Sequence, residues 1–171
     1  ICGVLAEGGV KLGIGFRAAQ HERDEKAFQF IHDFEALKTL VDMIDAENVG
    51  VVLDVWDLDV SGGSIDAIRQ LAAEKIVAVQ LADKPGEVEN EKLIEKNRLM
   101  PSTAGQIDVV GALTALGEIE YDGPVTIKPF RGVTKGMRRE QIVKDTAEAL
   151  DEIWKAAHLT PEGKLQAPAE P

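Results

Sequence analysis

The sequence predicts an α/β fold in which four strand–helix units build a parallel sheet. Short runs rich in Val, Ile and Leu alternate with longer segments of helical periodicity, and polar residues bound each run. Because parallel strands are joined by right-handed crossovers, the units fit either an open doubly wound sheet or a closed (β/α)8 barrel. A complete barrel usually needs about 200 residues or more. The 171 residues are therefore expected to supply about half of one.

Four segments are predicted to be strands, and the second is the most distinctive. Its apolar and glycine residues lead into Asp54, and a second acid, Asp57, follows three residues later. A buried strand does not carry an unpaired carboxylate without cost, and sites in parallel α/β folds are built at the carboxyl ends of the strands. The predicted strands are residues 10–16, 48–55, 75–81 and 125–130.

Each predicted helix carries an apolar stripe that can cover the sheet. The helix expected over 33–45 has Asp33 as its N-cap, and the short helix over 64–71 has Ser64 in that position. Two longer helices are expected over 108–119 and 138–157.

The remaining segments are predicted to be less regular. Residues 1–9 resemble the end of a helix with a glycine C-cap, so further sequence is expected upstream. Residues 84–107 are predicted to be a long polar connection with a helical turn around 89–96. The composition after residue 159 predicts a flexible tail, so that the domain spans 1–159 and the tail 160–171.

Composition excludes several kinds of partner. The net charge of −11 argues against nucleic acid or an anionic membrane as the main partner. The single cysteine cannot form an intramolecular disulfide, which favours a reducing, cytoplasmic compartment. No apolar stretch approaches the roughly 18 residues that a membrane-spanning helix needs, so no span is expected.

The alternation of side chains along the strands predicts a shared site. Each strand places one polar or glycine position near its carboxyl end on the same face, at Gly15, Asp54, Gln80 and Lys128. On the third strand this face is expected to include Ile76 as well as Gln80. Four such positions in parallel strands predict the mouth of a barrel rather than independent solvent-exposed residues.

Several motifs carry a resemblance to a known family. They are residues 48–56 (NVGVVLDVW), 76–83 (IVAVQLAD), 98–101 (RLMP) with 105–108 (GQID), 121–127 (YDGPVTI) and 11–16 (KLGIGF). At this spacing they resemble the sugar phosphate isomerase/epimerase family, the xylose-isomerase-like TIM barrels. The resemblance implies a (β/α)8 TIM barrel of which this chain covers about the last four βα units. It also implies isomerisation or epimerisation of a small carbohydrate or sugar phosphate at the mouth.

The resemblance further implies a divalent metal, Mn, Mg, Co or Zn, held by Glu, Asp, His and Glu on strands five to eight of the barrel. The two glutamates would also move the substrate proton. In this sequence only the sixth-strand acid, Asp54, is kept, and the other three positions fall on Gly15, Gln80 and Lys128. A histidine that often follows the acid falls on Asp57. A metal cofactor is therefore not expected, although a displaced metal site made by Asp54, Asp57 and Asp83 is an alternative, with Asp54 and Asp57 as the candidate ligands.

The altered positions suggest other roles. Lys128 could replace the metal beside Asp54 and bind a ligand hydroxyl, carboxylate or phosphate, or it could act as a base or form a Schiff base. Lys128 and Asp54 are therefore the catalytic candidates. The candidates for substrate binding are Gln80, Asp83, Arg17, Arg98 and Arg131.

Two classes of function remain open at this point. The first is an isomerase/epimerase-like protein that acts on a small carbohydrate with the expected metal ligands largely lost. The second is a catalytically inactive, metal-free barrel that serves as a ligand-binding or partner subunit. Because a half barrel has exposed sheet edges, we expect either a homo-oligomer or pairing with an N-terminal half outside this sequence.

Overall fold

Four parallel strands form one sheet in the computed structural model, which describes residues 1–24, 26–28 and 30–166. The strands lie side by side in chain order. An open doubly wound sheet reverses its strand order at a switch point, whereas the strands of a barrel follow one another around the axis. The observed order is therefore that of a barrel segment. The strands are β1 (Leu12–Ile14), β2 (Val49–Asp54), β3 (Ile76–Leu81) and β4 (Val125–Ile127).

The predicted helices are present, with shorter bounds than expected. One helix, α3, was not predicted, because its six residues are too few to show helical periodicity. The helices are α1 (Cys2–Glu7), α2 (Phe34–Met43), α3 (Val55–Val60), α4 (Ile65–Arg69), α5 (Val109–Glu118) and α6 (Arg139–Ala156). In the long connection, short 3-10 turns occupy Asn90–Lys92 and Glu95–Asn97, and they overlap the predicted helical turn around 89–96.

The two predicted N-caps have different outcomes. The carboxylate of Asp33 accepts a hydrogen bond from the backbone N–H of Ala36 at 2.8 Å, which confirms this residue as the cap of α2. Ser64 occupies the N-cap position of α4, as predicted, but its side chain makes no capping hydrogen bond. At the other end of the chain, α1 ends before Gly8, as the glycine pattern predicts.

One face of the sheet is buried against the helices. The residues of β2 and β3 on this face are at most 3% exposed, and all but Val49 belong to the core that they share with the helices; they are Val49, Val51, Leu53, Ile76, Val79 and Leu81. The prediction that Ile76 shares a face with Gln80 is therefore wrong. The register shifts between Val51 and Val52 where β2 meets β3, and this irregularity turns Val77 toward the opposite face.

The opposite face is lined by small residues and is not covered by helices. A Cβ atom on Gly13 would lie 2.6 Å from Cγ2 of Val52 and 3.2 Å from Cβ of Val77, so only glycine fits at that position. Val52 and Val77 are both partly exposed. This face corresponds to the inside of a barrel, and it carries the polar positions at the carboxyl ends of the strands.

Residues 160–166 fold back on the last helix. The indole N–H of Trp154 donates to the carbonyl of Thr160 at 2.9 Å, and Leu159 forms an antiparallel bridge with Leu165. The rest of the predicted tail, residues 167–171, lies outside the described residues. No helix in the described part of the chain has the length and apolar character to cross a membrane.

Candidate functional site

Three of the predicted site residues meet at the carboxyl ends of the strands. Asp54 ends β2, and Gln80 is its register partner on β3. Lys128 follows β4 and continues the pairing, because its backbone N–H donates to the carbonyl of Leu81 at 2.7 Å. The ammonium Nζ of Lys128 lies 3.0 Å from Asp54 Oδ2 and 3.0 Å from Gln80 Oε1. We call Asp54, Gln80 and Lys128 the mouth.

The mouth opens to solvent at the lysine. The side chain of Lys128 is 32% exposed, whereas that of Asp54 is 7% exposed. Gly15, the fourth predicted position, follows β1 and brings no side chain. The convergence predicted from strand alternation is therefore found for the three positions that have side chains.

Arg98 lies behind the mouth and is completely buried. Its Nη1 donates to both carboxylate oxygens of Asp54 at 2.9 Å, and its Nη2 donates to Asp57 Oδ2 at 2.7 Å. Its Nε donates to Glu95 Oε2 at 3.0 Å. The guanidinium also stacks on Trp56, with the carbon Cζ 4.3 Å from the ring centroid. The side chain of Arg98 therefore has no exposed atom with which to contact a ligand directly.

The two buried acids respond to this arrangement in opposite ways. Burial alone would raise the pKa of Asp54, but the positive charges of Arg98 and Lys128 outweigh it and hold the pKa below its ordinary value. Burial, together with the negative charge of Asp54, raises the pKa of Asp57 to about 6 in spite of Arg98. Asp57 also accepts a hydrogen bond from the backbone N–H of Ala18 at 3.0 Å, which anchors the loop after β1.

The remaining predicted site residues lie elsewhere. Arg17 is at the rim, 48% exposed, with its Nη1 3.2 Å from Glu95 Oε2. Arg131 is exposed in the turn after β4. Asp83 is buried, and its Oδ1 accepts hydrogen bonds from the backbone N–H groups of Lys84, Gln106 and Ile107. Within the described residues, neither Asp83 nor Arg131 is hydrogen-bonded to the mouth, and the contacts of Asp83 hold the long connection in place.

The donor set at the mouth does not fit a divalent metal. Both oxygens of Asp54 accept hydrogen bonds from cations, Asp57 is committed to Arg98 and Ala18, and the ammonium of Lys128 would repel a metal ion. Across the described residues, no group of three or more His, Cys, Asp or Glu side chains is arranged to bind a metal. The predicted metal role of Asp54 and Asp57 therefore has no support in their geometry.

Sequence reasoning did not single out Glu95 or Trp56. Glu95 lies three residues before Arg98 in a connection that has no hydrophobic periodicity. In such a segment an acidic residue is expected to be a solvent-exposed loop residue. Trp56 lies two residues after Asp54, and it is next to the site because the guanidinium of Arg98 stacks on its ring. The one available hint was the short distance along the chain between each of them and a candidate residue.

Comparisons with known proteins agree with this architecture. A family model described as xylose isomerase-like TIM barrel matches residues 11–153. The inosose isomerase of Bacillus velezensis is 25% identical over 123 residues, which are 72% of this chain and 43% of that protein. The structure of a xylose isomerase domain protein from Alicyclobacillus acidocaldarius is 27% identical, with a TM-score of 0.78 over 90% of this chain and 53% of that one.

A third relative is similar in fold. The structure of an IOLI protein with a bound zinc atom is 22% identical, with a TM-score of 0.75 over 91% of this chain and 51% of that one. The chain thus spans about half the length of these relatives. This confirms the prediction of a (β/α)8 TIM barrel of which the chain supplies about four βα units. The chain belongs to the family of xylose isomerase-like TIM barrels.

Proposed function

We propose that the mouth binds a small carbohydrate or sugar phosphate, with the ammonium of Lys128 in place of a divalent metal. The carbohydrate class is supported by the relatives, which include an inosose isomerase. The metal-free binding mode is supported by one observation above the others, the position of Lys128 Nζ at 3.0 Å from both Asp54 Oδ2 and Gln80 Oε1. At this position the ammonium cation lies between two oxygen atoms that accept its hydrogen bonds.

Lys128 retains the capacity to bind a ligand. An ammonium has three N–H donors, and the two contacts in the mouth use two of them. Within the described residues the third has no acceptor, and because the side chain is 32% exposed it can donate to a sugar hydroxyl, carboxylate or phosphate oxygen. Gln80 adds an amide NH₂ group at the same level of the sheet, and Arg17 supplies a further exposed cation at the rim.

The catalytic roles predicted for Lys128 and Asp54 remain proposals. Asp54 is held by Arg98 and Lys128 and faces away from solvent, which favours a positioning role over proton transfer. Asp57 has a pKa of about 6, which would suit a general acid or base, but it is 2% exposed and sealed behind Arg98. Ligand binding therefore fits the geometry better than metal-dependent isomerisation.

The test is ligand binding in the presence of EDTA. Titration calorimetry with D-fructose, D-fructose 6-phosphate and an inosose should detect binding of at least one compound in the metal-free protein. Lys128→Met should weaken it by about tenfold or more, the loss of one charged hydrogen bond. The control is Lys144→Met, an exposed lysine on α6. Binding that requires added metal, or that Lys128→Met leaves unchanged, would contradict the proposal.

A second candidate keeps the activity of the family. The retained Asp54 and the relatedness to an inosose isomerase favour an isomerase or epimerase, either with altered chemistry at Lys128 or with metal ligands from outside this chain. Borohydride trapping of a keto sugar on Lys128 would support a Schiff base, and no adduct would exclude it. Isomerisation that needs added Mn²⁺ would support the metal-dependent form. A catalytically inactive partner subunit and a cytoplasmic location stay predictions.

A further inference from the structure

Arg98 is the most deeply buried charged side chain among the described residues, and it is not exposed in the mouth. Its side chain is 0% exposed, and three carboxylates surround the guanidinium: Asp54 at 2.9 Å, Asp57 at 2.7 Å and Glu95 at 3.0 Å. The indole of Trp56 closes one face of the guanidinium plane. Such a cavity is shaped for a planar cation that donates in several directions.

The neighbours of Arg98 compensate for the cost of burying its charge. Taking a guanidinium out of water is unfavourable unless its donors and its charge are matched. Here Nε, Nη1 and Nη2 each donate to a carboxylate, and the stacking on Trp56 adds a cation–π contact. Conversely, without Arg98 the carboxylates of Asp54 and Asp57 would be left buried with their negative charges close together.

Arg98 also joins the connections that follow all four strands. Asp57, its partner on α3, binds the backbone N–H of Ala18 after β1. The carbonyl of Arg98 accepts a hydrogen bond from the backbone N–H of Phe130 after β4 at 2.9 Å. Arg98 itself belongs to the connection after β3. The position of Asp54, and through it that of the Lys128 ammonium, therefore depends on the guanidinium.

We infer that Arg98 is the positioning residue of the mouth: its guanidinium is an internal cation that holds Asp54 toward Lys128, in a cavity of three carboxylates and one indole. The cavity recognises the guanidinium group itself. It should consequently accept a free guanidinium compound when the arginine side chain is truncated. This role is independent of which compound the mouth binds.

Chemical rescue tests the inference. Arg98→Ala should lower the melting temperature, and millimolar methylguanidinium, far below the molar range in which guanidinium denatures, should restore part of the loss. Urea and KCl at the same concentration should not restore it. Arg17→Ala, which truncates the exposed arginine on the same Glu95, is the matched control and should show neither the loss nor the rescue.

The indole provides a second, local measurement. In a Trp154→Phe background Trp56 is the only tryptophan, and its fluorescence should change on Arg98→Ala and return when methylguanidinium binds. A saturable return supports the inference. If neither the melting temperature nor the fluorescence recovers, the inference is overturned. That result is expected if Arg98 is structural but its cavity does not recognise the guanidinium group.

Arg98→Lys covers the case in which the alanine variant does not fold even with methylguanidinium. Lysine keeps the charge, but its single nitrogen cannot occupy the separate positions from which Nε, Nη1 and Nη2 of Arg98 donate, so it should disturb the mouth while the fold remains. If D-fructose 6-phosphate binds the wild type, the affinity of Arg98→Lys for this sugar should be about tenfold lower. This affinity measurement rests on the proposed function. Where that sugar does not bind, the fluorescence of Trp56 decides, and an unchanged spectrum would overturn the inference.

Discussion

Asp54 lies between two cations of different kinds. Arg98 is buried and fixed by three carboxylates, whereas Lys128 is partly exposed and reaches the mouth from the adjacent strand. The carboxylate of Asp54 therefore pairs with the buried charge of Arg98 and orients the accessible charge of Lys128. This division predicts that the two basic residues contribute differently to stability and to binding.

Arg98→Met should be strongly destabilising, because it removes the buried counter-ion that Asp54 and Asp57 share and leaves Asp54 with Lys128 alone. We expect a loss of about 3–5 kcal/mol in the free energy of unfolding, measured by urea denaturation. Arg17→Met, which removes an exposed ion pair to the same Glu95, should cost at most about 1 kcal/mol. Equal effects of the two substitutions would show that burial of the Arg98 network is not what stabilises this region.

The raised pKa of Asp57 predicts a specific dependence of stability on pH. An acid whose pKa is raised from 3.8 to about 6 in the folded state binds its proton more tightly there than in the unfolded chain. Its contribution to stability is complete below pH 3.8 and is lost as the pH rises to about 6. The lowered pKa of Asp54 has the opposite effect, because the stability that it contributes is lost as the pH falls below 3.8. Between pH 3.8 and about 6, Asp57 is therefore the one of these two acids whose titration changes the stability.

Asp57→Asn should abolish that loss. Urea denaturation of both proteins between pH 4 and 7 should show the wild type losing roughly 2–3 kcal/mol relative to the variant as the pH rises. Taking the difference between the two proteins removes the titration of the other acids. A difference that stays constant with pH would contradict the account of Asp57.

At the level of single residues, the sequence predicted the mouth better than the groups behind it. Strand alternation places Asp54, Gln80 and Lys128 on one face, and the long lysine reaches the others because parallel strands end at one edge. Arg98 was predicted to bind substrate, whereas the structure buries its side chain completely behind Asp54. Nothing in a polar connection of irregular periodicity indicates that one of its charges is completely buried, since burial there depends on contacts 41 and 44 residues away.

Among the elements, α3 shows why the sequence could mislead. Its six residues, Val55–Val60, follow β2 directly, and a segment this short shows no helical periodicity in the sequence. The carboxylate of Asp54 marks the boundary, because it accepts hydrogen bonds from the backbone N–H groups of Trp56 and Asp57 and begins the helix. The residue at the centre of the site is thus also the N-cap of α3.

The long connection after β3 depends on one buried acid. Asp83 binds three backbone N–H groups, two of them at Gln106 and Ile107, so it ties the two ends of the segment together. A Cβ atom on Gly105 would lie 1.8 Å from Asp83 Oδ2. The sequence predicted a substrate-binding role for this acid, whereas its hydrogen bonds hold the loop.

Gly105→Ala should therefore disturb the connection. We expect it to destabilise the protein by about 1–3 kcal/mol, through displacement of Asp83 from its backbone partners, as measured by urea denaturation. Gly3→Ala is the matched control, because a Cβ atom there meets nothing within 4 Å and lies in a helix. The control should be neutral or stabilising by up to about 1 kcal/mol. A neutral Gly105→Ala would contradict the proposed anchoring.

For the molecule as a whole, the sheet has one covered face and one open face. In the described residues β1 and β4 each pair on one side only, and Val52 and Val77 on the inner face remain partly exposed. The fold class followed from alternation of strands and helices, whereas the register shift near Val52 did not, because it arises from contacts between strands. Unpaired strand edges favour association with further strands.

The isolated chain should therefore associate, either with itself or with a polypeptide that supplies four more βα units. Light scattering after size-exclusion chromatography should give a mass of at least two chains, or a complex when an N-terminal half barrel of a family member is added. Substitution of Val52 and Val77 by Asp should weaken that association. A stable, folded monomer that binds no half barrel would contradict this prediction.

The measurement that bears most directly on the central claim is metal content. The purified chain would be incubated with Mn²⁺, Co²⁺, Zn²⁺ and Mg²⁺, desalted and examined by mass spectrometry for bound metal. A mouth whose acid is already bound by Arg98 and Lys128 predicts no stoichiometric metal. About one equivalent of metal, lost in Asp54→Ala, would contradict the claim that Lys128 takes the place of a metal ion.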